Sequence, residues 1–411
     1  MFNEKKLADF CELALKIGVN LQKDQSLEIV CPIEKREVAH ALAKKAYEVG
    51  AKIVRVRWQD EEFEKINYTG ASKEALSEVP KWLVASRNYL VDNNFCYIAI
   101  DAEDPSAFKD VPVEKLSAVA KARSKAFKKY SDAVMSNGIR WCVVSVPTEA
   151  WAKHVFPQAK NGTEAEAMLT EAIAKTMRLN YNNPVEEWEK HISRLDARAK
   201  FLNEQDFEYL HYENSIGTDL YVGLADGHEW LSAKESAKDG VPFVANMPTE
   251  EVFTAPHRLK TNGVVKSALP LSYNGQIVDK FSLTFKKGKV VDFSAEKGYD
   301  ILKELINTDE GTRHIGEAAL IGKNSPIAEQ EILFYNTLFD ENASCHLALG
   351  KAYPTTLKGG ANLTAAELKA RGANDSVEHV DFMIGTSDLK VTGIKKDGTK
   401  IPVFRDGEWC I

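Results

Sequence analysis

A chain of 411 residues is longer than one hydrophobic core usually grows, so two domains are expected. With 44% hydrophobic and 27% charged residues it reads as an ordinary globular protein, neither disordered nor fibrous. A net charge of −7 excludes the basic footprint of a nucleic-acid binder, and no apolar run approaches membrane-spanning length.

The opening "MFNEKKLADF" lacks a hydrophobic signal core, and the six cysteines (11, 31, 96, 142, 345 and 410) are scattered with no CxxC pair. A soluble cytoplasmic protein with reduced thiols is expected. Leu7, Phe10, Ala14 and Ile17 recur at helical spacing and Gly18 stops the helix. Four β-branched runs follow: "LEIVCPI" from 27, "KIVRVRW" from 52, "CYIAI" from 96 and "WCVVSV" from 141. The helical stretch 34–50 separates the first two. This alternation predicts an α/β domain with a mainly parallel sheet. No GxGxxG or GxxxxGK[ST] follows these strands, so a nucleotide role has no support. Helices are predicted over 163–177 and 184–202, the second a charged connector.

The texture then changes. Hairpin signals stand at "YNGQ" (273–276), "KKGK" (286–289) and "KKDGTK" (395–400), with a helix predicted over 326–339. The second half therefore reads as an α+β domain. The expected division is an N-terminal α/β domain over 1–195 and a C-terminal catalytic domain over 196–411.

Six of the nine histidines lie in this second half, together with carboxylates placed oddly for a solvated surface. "NMPTEEVFTAPHR" (246–258) carries Glu250 and Glu251, "GEAALIG" (316–322) carries Glu317, and "ENASCHLALGKAYP" (341–354) carries His346 and Tyr353. "EHVDFMIG" sets His379 and Asp381 two apart on a strand, hence on one face. Each has a bland alternative: a helix N-terminal carboxylate for Glu250, an ion pair with His314 for Glu317, a core histidine for His346, a packing ring for Tyr353. Together, Glu250, Glu317, His346, His379 and Asp381 offer two imidazoles and three carboxylates. That set suffices for two zinc-like ions sharing a water, with Asp381 suited to bridge them. Neighbours on a strand diverge, so Glu250 and Glu251 cannot both face one metal.

These motifs, with "LFDENASCHLALGKAYP" and the terminal "PVFRDGEW", resemble the thermophilic-type dinuclear metalloaminopeptidases, the aminopeptidase T, AmpS and PepS group. The resemblance runs over nearly the whole chain. It implies a two-domain protomer that forms a homodimer and removes N-terminal residues from short peptides. It further implies two divalent metal ions, zinc first, with cobalt, manganese and magnesium compatible. Its ligand roles carry over onto Glu250, Glu317, His346, His379 and Asp381, with Tyr353 at the centre, leaving Glu251 free to be the general base or a carboxylate supporting the ligands, against the bland alternative of an exposed glutamate or an ion pair with Arg258. Set against this are another dinuclear hydrolase, such as a phosphoesterase or amidase, and a non-catalytic protein binding a small ligand.

Overall fold

The computed structural model describes residues 2–273 and 276–411. Its chain divides into two compact units. One comprises residues 1–191 with 234–248, the other 192–233 with 249–411.

The first unit is built on four parallel strands: β1 (Ser26–Pro32), β2 (Ile53–Gln59), β3 (Cys96–Asp101) and β4 (Trp141–Ser145), in the order β2-β1-β3-β4. These are the four β-branched runs. Leu27, Ile29 and Cys31 of the inner strand β1 are fully buried, whereas β2, at an edge, alternates exposed and half-buried positions. Helices Arg36–Glu48, Gly162–Thr176 and Pro184–Gln205 lie where helical spacing predicts them. The first helix, Glu4–Leu13, continues into a wider turn ending at Gly18. One boundary near 195 does not describe the chain. Residues 234–248 return to the first unit, where Val143 donates its N–H to Ala245 O (2.7 Å) and Met247 to Val143 O (3.0 Å).

The second unit holds a nine-stranded, antiparallel sheet and a separate four-stranded one. In the larger sheet, Gln276–Lys286 turns into Lys289–Lys297 through Lys287 and Gly288, both at positive φ, as "KKGK" requires. Lys390–Ile394 and Lys400–Arg405 pair around the "KKDGTK" turn. The central residues of "YNGQ" lie outside the described residues. The helix predicted over 326–339 does not form as one element. Glu331 (φ 51°) and Tyr335 (φ 55°) take left-handed backbone, which no α-helix continues through. Only the 3₁₀ turn Ala328–Gln330 and the short helix Thr337–Asp340 remain. Among the described residues no helix is long and apolar enough to cross a membrane.

The smaller sheet carries the chemistry. Its strands are β5 (Val252–Thr254), β6 (Ile315–Leu320), β7 (His346–Gly350) and β8 (His379–Met383), in the order β8-β7-β6-β5 and all antiparallel. Every position of β6 and β7 is buried, so the polar residues they carry are removed from water by the fold itself.

Candidate metal centre

Strand register decides which side chains meet. Glu317 lies opposite Ala348, which lies opposite Asp381, so the two carboxylates flank a methyl group in one row across three strands. In the next row Phe253, Ala319, His346 and Met383 lie side by side, while His379 stands opposite Gly350. Residues two apart share a face, so Glu317, His346, His379 and Asp381 all project from one side of the sheet. The small Ala319, Ala348 and Gly350 leave the space into which they converge. Gly350 has φ +108°, and a Cβ there would stand 2.1 Å from Glu378 O, so no other residue fits.

The same register separates the adjacent glutamates. Val252 pairs with Leu320 and Phe253 with Ala319, which places Phe253 on the site face. Alternation one step further back puts Glu251 on that face and Glu250 on the other. Distances agree. His346 Nε2 lies 3.4 Å from Glu251 Oε2, 3.4 Å from Glu317 Oε1 and 3.8 Å from Asp381 Oδ1. His379 Nε2 lies 3.3 Å from Asp381 Oδ1 and 3.9 Å from Glu317 Oε2. Glu250 is buried, lies within the electrostatic reach of Arg198 and belongs to neither group of converging donors. The metal-ligand expectation for Glu250 therefore meets a correction: the fold brings Glu251 to the cluster in its place. Glu317 does not pair with His314, whose Nδ1 faces Arg258 O at 2.7 Å.

Two triads have mutual spacings within 4.8 Å: Glu251, Glu317 and His346, and Glu317, His379 and Asp381. Glu317 belongs to both, one oxygen toward each imidazole. Asp381, expected to bridge, presents a single oxygen to both rings. The imidazoles are held by their far nitrogens. His379 Nδ1 lies 2.7 Å from Lys351 O and His346 Nδ1 3.4 Å from Ser344 O. A proton kept on Nδ1 by a carbonyl leaves Nε2 as the metal-binding atom, the arrangement of most histidine ligands. The donor set thus fits divalent ions, in identity, spacing and tautomer.

Two further groups border it. Glu341, absent from the set expected from sequence, is pushed well above the usual carboxylate range by burial and by the charges of Asp381, Glu251 and Glu317. Its signal was proximity alone: it precedes His346 by five residues in "ENASCH". Tyr353 is half-buried, its ring centroid 4.9 Å from that of His379. Burial, then Glu317, Asp381 and Glu341, hold its phenol well above its ordinary value, so it stays a hydrogen-bond donor. A cavity of about 70 Å³, walled by Leu271, Tyr335 and Met383, reaches Glu341 and Asp381.

The metal-free cluster stores protons. Burial opposes the imidazolium of His346, but the hydrogen bond it donates to Glu317 and the charges of Asp381 and Glu251 overcome it and lift the ring from 6.5 to about 10. His379 also rises to about 10, burial being outweighed by Asp381. Burial lifts Glu251 to about 8. All three are therefore protonated at pH 7, and a metal must displace those protons. Calorimetric titration of the metal-free protein at pH 7 in buffers of different ionisation enthalpy should show roughly three protons released per chain. Affinity should rise as pH increases from 7 toward 10. Metal binding without proton release would contradict this electrostatic picture.

The chain is similar to known peptidases over nearly its whole length. The family profile described as thermophilic metalloprotease (M29) matches residues 3–409. Aminopeptidase 2 of Geobacillus stearothermophilus is 44% identical over 407 residues, covering 99% of this chain and 98% of its own. Aminopeptidase AmpS of Bacillus subtilis (strain 168) is 44% identical over 406 residues, with 99% and 98% covered. The solved structure of wild-type AmpT from Thermus thermophilus matches with TM-score 0.93 at 37% identity, covering 99% of this chain and 100% of that one. The chain belongs to the thermophilic metalloprotease (M29) family and is a metal-dependent peptidase.

Proposed function

We propose that this peptidase is an aminopeptidase, releasing the N-terminal residue of short peptides at a centre of two divalent ions. In this reading Glu251, Glu317, His346, His379 and Asp381 would hold the ions, Glu317 being the donor common to both triads. One observation carries it: three carboxylates and two imidazoles converge from one face of the sheet, with Glu341 beside them and Glu317 presenting a separate oxygen to each ring. Four buried carboxylates are costly unless protons or cations neutralise them, and two divalent ions match their charge once the protons are displaced. Nitrogen and carboxylate donors suit zinc first, with cobalt, manganese and magnesium compatible.

Ions held here would lower the pKa of a shared water toward about 7 and polarise the scissile carbonyl. The chain's own groups supply the rest. Once bound ions offset the burial and the carboxylate charges that raise its proton affinity, Glu341 takes a proton from the attacking water and delivers it to the leaving amine. Glu251 gives up the base role expected of it, because its carboxylate is committed to the cluster. Tyr353 donates its hydroxyl hydrogen to the oxygen that gains charge as the carbonyl becomes tetrahedral. A free α-amine keeps a lone pair that a divalent ion held here would bind, and an acylated nitrogen does not, which favours peptides with an unblocked N-terminus. All proposed donors lie in the second unit, which makes it the catalytic domain of this reading. The reading includes a homodimer in the cytoplasm. Six free thiols support a reducing compartment, and a single-chain mass with full activity in light scattering would remove the dimer.

The test is turnover of a free-amine amino-acid amide beside its N-acetylated form and a phosphate ester. Cleavage of the first alone is expected; equal cleavage of the acetylated amide would overturn the aminopeptidase reading. The two glutamates are separated by substitution. Glu251→Gln should weaken metal binding by at least about 10-fold and lower turnover with it, while Glu250→Gln keeps metal affinity within about threefold. The opposite pattern, measured by chelator competition, would return the ligand role to Glu250.

A further inference from the structure

Asn342 follows Glu341 in the same turn and reaches the segment that carries Glu251, and its surface is fully buried at 0% exposure. Its Oδ1 accepts the backbone N–H of Glu250 at 2.8 Å. Its Nδ2 donates to Leu338 O at 3.1 Å and to Glu341 Oε1 at 3.4 Å. The chain is turning tightly here, from the helix Thr337–Asp340 into the 3₁₀ turn Glu341–Ala343. Successive side chains in such a turn point about 100–120° apart. Three consecutive residues therefore serve three different places. Asp340 accepts the N–H groups of Phe334 (2.7 Å) and Asn336 (3.0 Å), Glu341 enters the donor cluster, and Asn342 crosses to the segment leading into β5.

We propose that Asn342 is a positioning residue, which sets the spacing of the Glu251 and Glu341 carboxylates by tying the backbone before one to the side chain of the other. The carboxamide suits both tasks, since one end accepts and the other donates twice. A buried amide N–H left without its acceptor is unfavourable, so the Glu250–Glu251 backbone would shift to recover one. That shift moves Glu251 relative to His346 and Glu317. The inference rests on the ligand assignment above.

The experiment measures the metal dissociation constant by competition with a chromophoric chelator, on the full chain. Wild type is compared with Asn342→Ala, Asn342→Asp and a core variant, Val403→Ala, whose residue is buried in the strand Lys400–Arg405 outside the site. Asn342→Ala should weaken metal affinity by about 10–100-fold, as loss of a ligand's supporting hydrogen bonds does. Asn342→Asp keeps the acceptor for Glu250 but sets a like charge beside Glu341, and should weaken it by about 10-fold. Val403→Ala should lower Tm and leave affinity within about threefold of wild type. Asn342→Ala within about threefold of Val403→Ala would overturn the proposal. If the alanine variant does not fold, unchanged affinity in Asn342→Asp overturns it instead. Turnover of a free-amine amide by the same wild-type preparation separates the two claims. Its absence, with the affinities ordered as expected, would defeat the aminopeptidase reading and leave Asn342 in its role.

Discussion

Glu317→Ala is expected to lower turnover by at least about 10³-fold and to release metal from both positions. The reason lies in its place between the two triads: it is the carboxylate whose oxygens face His346 and His379 separately. Removing a terminal donor leaves the other ion's donors in place, whereas removing the shared one strips a donor from each. His346→Ala, His379→Ala and Asp381→Ala should also abolish activity, but each should deplete one ion more than the other. Elemental analysis alongside turnover reads both effects. Full metal content and retained activity in Glu317→Ala would remove it from the site.

Glu341→Gln should produce a different signature. Glutamine keeps the shape of glutamate but cannot take a proton, and Glu341 is not a member of either triad. Metal content and KM should therefore stay near wild type while kcat falls by about 10²–10⁴-fold, the usual contribution of a positioned proton-transfer group. The contrast with Glu251→Gln, which should lose metal, is the discriminating feature. Turnover within about threefold of wild type would place the proton acceptor elsewhere.

How much of this could be read from sequence depended on how local the signal was. Periodicity is local, and the four strands of the first unit stand where β-branched runs place them. Turn chemistry is local too, as Gly288 and Gly398 at positive φ illustrate. The helix predicted over 326–339 failed because its apolar stripe was real but Glu331 and Tyr335 adopt left-handed backbone, which spacing cannot reveal. The return of 234–248 to the first unit depends on a non-local bridge from Val143 to Asn246. At the site, His379 and Asp381 were legible because two residues on one strand must share a face. The choice between Glu250 and Glu251 was not, since it needed the pairing of Val252 with Leu320. The logic of alternation was available; the phase was not. Glu341 was hidden for a similar reason. It sits on a tight turn between helix and strand, where no repeating pattern says which way a side chain points.

The central claim is that this buried cluster works by holding two divalent ions. Its most direct test is metal content per chain, measured with turnover of a free-amine amino-acid amide before chelation, after chelation and after metal is restored. The account predicts about two ions per chain, loss of activity when they are removed, and recovery when they are returned. Undiminished turnover by protein stripped of metal would contradict it.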